Sequence, residues 1–100
     1  MVKIILQGTH YRVPDEIKAY LDKKLSSLDS LFPRLLDARV ELAFDQAVKE
    51  GRPFRAEINL RVPGKLLRAE STGGSVLEAI DIVIDEIKRE LIEFKERLQP

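Results

Sequence analysis

The C-terminal part of the chain carries one long apolar stripe, which restricts the fold more than any other feature. Its members recur at helical spacing after Gly73-Gly74: Val76, Ile80, Val83, Ile84, Ile87, Leu91, Phe94 and Leu98. Ser75, followed three residues later by Glu78, has the form of a capping box and predicts the start of the helix. A helix with one apolar face has to pack that face against another layer, so the rest of the chain must supply this layer.

Several segments alternate apolar and polar residues, a pattern that predicts strands with one buried face. The clearest runs from Phe54 to Val62. Pro63-Gly64 then fits the centre of a type II turn, because proline fixes the first φ and glycine allows a positive second φ. The chain is expected to return through a fourth strand that includes Ala69, and two earlier strands are predicted at Val2 to Gln7 and Arg39 to Phe44.

A further helix is predicted between the first two strands, from Pro14 to Pro33. The element order is therefore β-α-β-β-β-α and the predicted fold class is α+β, a two-layer sandwich with a four-stranded mixed sheet and two helices on one face. Since 100 residues can bury one core, residues 1–100 are predicted to form a single domain. The predicted core includes Ile17, Leu21, Leu28, Leu42, Ile58, Leu60, Ile80, Ile84, Ile87 and Leu91.

Composition argues against an enzyme and against a membrane protein. The chain has no cysteine, and its only histidine, His10, cannot alone supply a multi-histidine metal site. No serine is flanked as in a nucleophile elbow. We therefore expect no catalytic residue, no metal, no cofactor and no small-molecule substrate. No apolar run reaches the roughly 20 residues that cross a bilayer, and the lack of cysteine suits a reducing compartment, so a cytoplasmic location is expected.

The charges cancel, with 17 basic and 17 acidic residues, so net charge gives no argument for nucleic-acid binding. On the polar face of the predicted sheet, arginines are mixed with glutamates and no aromatic ring points outward to stack a base, which favours a solvated face.

On the first helix, Lys24 falls within the apolar arc, so its ammonium extends either into the groove between the helices or simply to solvent. Lys23 lies farther toward solvent. On the second helix, Lys88 and Lys95 flank the apolar stripe, seven residues apart.

Residues spread over essentially the whole chain occur in a characteristic order: Gly8, Lys24, Phe32, Arg34, Ala69, Gly73, Ala79-Ile80-Asp81, Asp85, Arg89, Leu91, Lys95 and Arg97. In this order and spacing, the chain resembles the ribosome hibernation-promoting factor and ribosome-associated inhibitor A family, also called sigma-54 modulation proteins. The resemblance implies the same β-α-β-β-β-α fold. Longer family members add a C-terminal dimerisation domain, so the resemblance implies either a short form or the N-terminal domain of a long form.

The resemblance also implies a function. It predicts a translation inhibitor that binds the small ribosomal subunit across the channel for messenger and transfer RNA and silences idle ribosomes. The implied partners are the small subunit and its ribosomal RNA, and we expect the chain to act as a monomer. Basic residues of both helices make the RNA contacts in this family. Here the predicted rRNA-binding residues are Lys18, Lys23, Lys24, Lys88, Arg89, Lys95 and Arg97.

Three positions depart from the basic pattern of the family. Ser27, Glu86 and Glu93 stand where the family often has lysine, and the two glutamates reverse the charge. Such changes weaken an RNA-facing surface. The alternative prediction is therefore a protein-interaction module on the same fold that has lost RNA binding and that uses Ile82 and Ile92 beside these acids.

Overall fold

Two helices lie on one face of a four-stranded sheet in the computed structural model, which describes residues 2–47 and 51–98. The elements follow one another as β1 (Lys3–Thr9), α1 (Asp15–Leu31), β2 (Asp37–Phe44), β3 (Phe54–Val62), β4 (Lys65–Gly73) and α2 (Val76–Leu98). This order confirms the predicted α+β class. The bounds of β3 coincide with those that the alternation of apolar and polar residues predicts.

The sheet is mixed, as predicted, and its strands lie side by side in chain order. β1 pairs with β2 in parallel, while β2 with β3 and β3 with β4 pair antiparallel. α1 is the crossover that a parallel pair requires. β3 and β4 are joined by the Pro63-Gly64 turn, where Gly64 has a φ of +80°, the conformation that glycine adopts without steric cost.

The hydrophobic core fills the space between the sheet and the helices. All ten of the predicted core residues are buried. One row across the sheet shows how the strands supply it: Leu6, Val40, Ile58 and Ala69 are neighbours in register, and all four belong to this core or pack against it. At the far end of the helices, the rings of Phe32 and Phe94 meet edge to face with centroids 5.6 Å apart.

The start of α2 is fixed by hydrogen bonds and by a close backbone approach. The Glu78 amide donates to the Ser75 hydroxyl at 3.1 Å, and the Glu78 carboxylate accepts from the Gly74 amide at 2.9 Å. The predicted capping box is thus present, although the Glu78 carboxylate accepts from the amide of Gly74 and not from the amide of the capping residue Ser75. A Cβ on Gly73 would lie 2.7 Å from the Ala79 nitrogen, so only glycine lets β4 turn this closely into the helix. These contacts fix where α2 begins and how closely it follows β4.

Candidate nucleic-acid interface

A hydrogen bond between the two helices defines the sides on which they face each other. The Tyr20 hydroxyl of α1 donates to Oδ1 of Asp81 of α2. Tyr20 is half-buried, and its pKa is raised, first because its hydroxyl donates to Asp81, then by burial and by the negative charge of that carboxylate. Every residue on the same flank of either helix therefore borders the space between α1 and α2, which we call the interhelical groove.

Two lysines of α2 lie on the groove side of that helix. Lys88 and Lys95 follow Asp81 by seven and fourteen residues, and seven residues make close to two full helical turns. Both side chains are exposed. Ile92 lies between them along the same flank and is 37% exposed. The groove side of α2 thus carries two lysines, Asp81 and the exposed aliphatic residues Leu77 and Ile92.

Two lysines of α1 border the same groove. The Lys24 ammonium lies 5.4 Å from the ring centroid of Tyr20, the residue one helical turn earlier. The sequence left open whether this ammonium extends into the groove or simply to solvent, and its contact with the Tyr20 ring places it on the groove side. Lys23 follows Tyr20 by three residues, is exposed, and lies on the outer border of the groove.

We call Lys23, Lys24, Lys88 and Lys95 the groove lysines. None of the four forms an ion pair with any carboxylate in the part of the chain that the structure describes. Asp81, which shares Tyr20 as a neighbour with Lys24, accepts a hydrogen bond from the Tyr20 hydroxyl. Within the described residues, the charges of the groove lysines are therefore not neutralised by a carboxylate.

The other three predicted site residues lie elsewhere on the helices. Lys18 is on the opposite side of α1, beside Ile4 and Leu6 of β1, and pairs with Asp15 at 3.8 Å. Arg97 pairs with Glu93 at 3.6 Å. The structure thus brings four of the seven predicted residues together and separates the others from them.

Arg89 borders a charged cleft on the far flank of α2. This cleft, of about 220 Å³, lies between α2 and β4 and is lined by Arg68, Ala69, Glu86, Arg89, Glu90 and Glu93. We call Glu86, Glu90 and Glu93 the acidic flank. The two glutamates that reverse the family's charge are therefore on the side of α2 that faces away from the groove. Of the two aliphatic residues in the alternative prediction, Ile92 is exposed but Ile82 is only partly exposed.

On the polar face of the sheet, three arginines pair with carboxylates, whereas Lys3 and Arg39 form no ion pair within the described residues. Glu41, Glu57 and Glu70 are neighbours in register on three adjacent strands, an arrangement that is repulsive by itself. Arg55 bridges them, with nitrogen–oxygen distances of 2.6 Å to Glu41, 3.4 Å to Glu57 and 2.8 Å to Glu70. Arg68 adds a contact of 2.9 Å to Glu57. This network confirms the interpretation of the sheet as a charge-balanced, solvated face.

The network has a clear effect on one carboxyl group. The hydrogen bond from Arg68, followed by one from Asn59, holds the pKa of Glu57 at about 2, below its ordinary value of 4.5. Arg68 and Arg55 form hydrogen bonds and ion pairs with these carboxylates, and the pKa values of both guanidinium groups are raised. Cations that are held in this way are poorly placed to exchange their partners for phosphates.

Residues 2–47 and 51–98, which the structure describes, contain no helix that is long and apolar enough to cross a membrane. Within the same residues, no group of three histidine, aspartate or glutamate side chains is arranged so that it could hold a metal ion.

Sequence reasoning missed Tyr20 as a residue of this surface. The tyrosine precedes Lys24 by four residues, a spacing at which side chains meet on a helix, and this signal was available from the sequence. Its bond to Asp81 was not, because the two residues are 61 positions apart in the chain.

Comparisons with known proteins agree with this architecture. The family model described as sigma 54 modulation protein / S30EA ribosomal protein matches residues 4–99. A ribosome hibernation promotion factor of Deinococcus radiodurans is 36% identical over 92 residues, which are 92% of this chain and 48% of that protein. One of Lactococcus lactis is 30% identical over 100 residues, covering 98% of this chain and 52% of that protein. The chain spans about half the length of these relatives.

Solved structures match over nearly the whole chain. The N-terminal domain of Thermus thermophilus Protein Y has a TM-score of 0.79 and 32% identity, and the match covers 94% of this chain and 99% of that chain. A ribosomal subunit interface protein of Coxiella burnetii has a TM-score of 0.83 at 13% identity, which supports the fold alone. Because the family model covers all but a few terminal residues, the chain belongs to the sigma 54 modulation protein / S30EA ribosomal protein family.

Proposed function

We propose that this chain is a ribosome-binding translation inhibitor of the hibernation-factor type. In this proposal, residues 1–100 act as a single ribosome-binding domain in the cytoplasm, as a monomer and without catalysis. The domain binds the small ribosomal subunit and occupies the channel that holds messenger and transfer RNA. Support comes from membership of the S30EA family and from relatives that carry the name ribosome hibernation promotion factor.

The proposed contact surface is the interhelical groove, with the groove lysines as its central rRNA-binding residues. Ribosomal RNA presents phosphates, and most contacts of a protein with a nucleic-acid backbone come from basic side chains and other donors that reach phosphate oxygens. Two helices side by side on a sheet form a groove that such a backbone can follow. Lys18, Arg89 and Arg97 are proposed as peripheral contacts, since they lie outside the groove.

One observation carries this choice of surface. The groove lysines have no ion-pair partner in the described residues, whereas Arg55 and Arg68 on the sheet each contact at least two glutamates. An unpaired exposed cation releases its counterions on binding a phosphate and gains more than one that must first leave a carboxylate. The groove therefore offers an RNA ligand four unpaired lysines, whereas on the polar face of the sheet Lys3 and Arg39 are the basic residues without an ion pair within the described residues.

Co-sedimentation with purified small ribosomal subunits tests the proposal. We expect the chain to sediment with the subunits, more completely at low salt than at physiological salt. Prior loading of the subunits with messenger RNA and transfer RNA should prevent binding, because the chain and these RNAs would compete for one channel. Binding that is insensitive to this loading would contradict occlusion of the channel. No binding at either salt concentration would favour the protein-interaction module instead.

A further inference from the structure

Tyr20 contacts both a groove lysine and a carboxylate on the groove side of α2. Its ring lies 5.4 Å from the Lys24 ammonium, and its hydroxyl donates to Asp81. Lys24 and Asp81 belong to different helices, have opposite charges and share this single neighbour. In the part of the chain that the structure describes, they nevertheless form no ion pair with each other.

We infer that Tyr20 is a positioning residue of the interhelical groove. Its ring holds the Lys24 ammonium and its hydroxyl donates a hydrogen bond to the Asp81 carboxylate. Lys24 therefore stays available to a phosphate of the bound RNA. The inference rests on the proposed function and adds a specific role to it. Tyr20 need not touch the RNA in this account. It acts through Lys24 and Asp81.

The physical reason lies in what each partner does to the lysine charge. A carboxylate that pairs with an ammonium cancels its charge, so an incoming phosphate would have to replace an existing partner. An aromatic face attracts the ammonium without cancelling its net charge. The Tyr20 ring therefore orients Lys24 and leaves its charge in place. The phenol hydroxyl meanwhile gives the Asp81 carboxylate a partner other than the lysine.

The raised pKa of Tyr20 agrees with this arrangement. Its largest cause is the hydrogen bond to Asp81, with smaller contributions from burial and from the charge of that carboxylate. Near neutral pH the phenol thus stays protonated and remains a hydrogen-bond donor.

The substitution Tyr20→Phe separates the two contacts. The phenylalanine ring can still attract the Lys24 ammonium, but Asp81 loses its donor and becomes free to pair with Lys24. We expect binding to small subunits to weaken by about tenfold, the loss typical of one charged contact. The slope of the logarithm of affinity against the logarithm of salt concentration should fall by about 0.7 to 0.9, because one phosphate contact is lost.

Three further variants identify the cause. Tyr20→Phe combined with Asp81→Asn should regain the affinity and the salt slope of the unmodified chain, since no carboxylate remains to capture Lys24. In a Lys24→Gln background, Tyr20→Phe should cause no further loss. Tyr11→Phe is the matched control: Tyr11 is the only other tyrosine, it packs against Phe54, and it lies outside the groove. It should leave binding unchanged.

A measurement without ribosomes separates this inference from the proposed function. In NMR spectra, the Lys24 side-chain resonances should differ between the Tyr20→Phe variant and the variant that combines Tyr20→Phe with Asp81→Asn, because only the first retains a carboxylate that can pair with Lys24. If the unmodified chain fails to bind subunits, the proposed function fails and the inference with it. If the chain binds but Tyr20→Phe keeps its affinity and salt slope, or if Asp81→Asn does not rescue it, only the positioning role of Tyr20 is overturned.

Discussion

The Arg68 guanidinium and the Glu57 carboxylate meet across β3 and β4 with Nη2 and Oε1 2.9 Å apart. Arg55 contacts the same carboxylate from the other side, at 3.4 Å. The two arginines thus balance a row of glutamates that would otherwise repel one another. The row of glutamates thus holds two arginines of the sheet, whereas the four groove lysines form no ion pair within the described residues.

Arg55→Ala is the first test of this division. It should lower the free energy of unfolding by about 1 kcal/mol, because it removes exposed ion pairs and leaves three glutamates side by side. Ribosome binding should stay within twofold of the unmodified chain. Urea unfolding measures the stability, and co-sedimentation measures the binding. A large loss of binding in Arg55→Ala and in Arg68→Ala would show that the sheet, not the groove, meets the RNA.

The Glu57 carboxyl should make stability depend on pH in the acid range. Its pKa is about 2 in the folded protein and 4.5 in its ordinary state, so the folded protein binds this proton less readily than the unfolded chain does. The stabilisation is therefore complete above pH 4.5 and is lost as the pH falls toward 2. Thermal unfolding of Glu57→Gln across this range should show a flatter acid limb than the unmodified chain. Identical acid limbs would contradict the depressed pKa.

Lys88→Gln and Lys95→Gln should each weaken subunit binding and reduce its salt dependence, because each removes one unpaired groove cation. Their effect on stability should be small, since both side chains are exposed. Lys65→Gln, at an exposed position at the start of β4, is the matched control for loss of one positive charge. Equal losses in all three variants would mean that net charge alone governs binding, with no localised contact surface.

The double substitution Glu86→Lys with Glu93→Lys addresses the departure from the family's basic pattern. Both glutamates lie on the acidic flank, away from the groove. We therefore expect tighter binding at low salt, where charges act over long distances, and little change near 0.1 M salt, where the screening length is about 10 Å. Strong tightening at both salt concentrations would instead mean that the acidic flank contacts the RNA directly.

Most of the fold follows from local pattern. The alternation from Phe54 to Val62 predicts both the length of β3 and its buried face, and the capping residues Ser75 and Glu78 predict the start of α2. These features depend on neighbours a few residues away, so the sequence displays them directly. The hydrogen bond from the Gly74 amide to the Glu78 carboxylate, one residue earlier than expected, depends on the close turn out of β4 and was not predictable from spacing.

The candidate site was predicted only in part, for a physical reason. Helical spacing gives the angle between Lys88 and Arg89, but it does not say which of them faces α1. That choice depends on how α2 docks on the sheet and on the bond between Tyr20 and Asp81, both set by tertiary packing. The sequence therefore identified the basic residues and could not sort them between the groove and the flanks.

Directed cleavage of ribosomal RNA tests the central claim most directly. The chain has no cysteine, so a single introduced cysteine can carry an iron chelate that generates hydroxyl radicals. Ser27→Cys places the chelate beside the groove lysines, one turn after Lys24, and Gln7→Cys places it on the exposed face of the sheet. We predict strong cleavage of small-subunit RNA lining the messenger and transfer RNA channel from position 27 and weak cleavage from position 7. Strong cleavage from position 7 with none from position 27 would contradict the assignment of the interhelical groove as the RNA-binding surface.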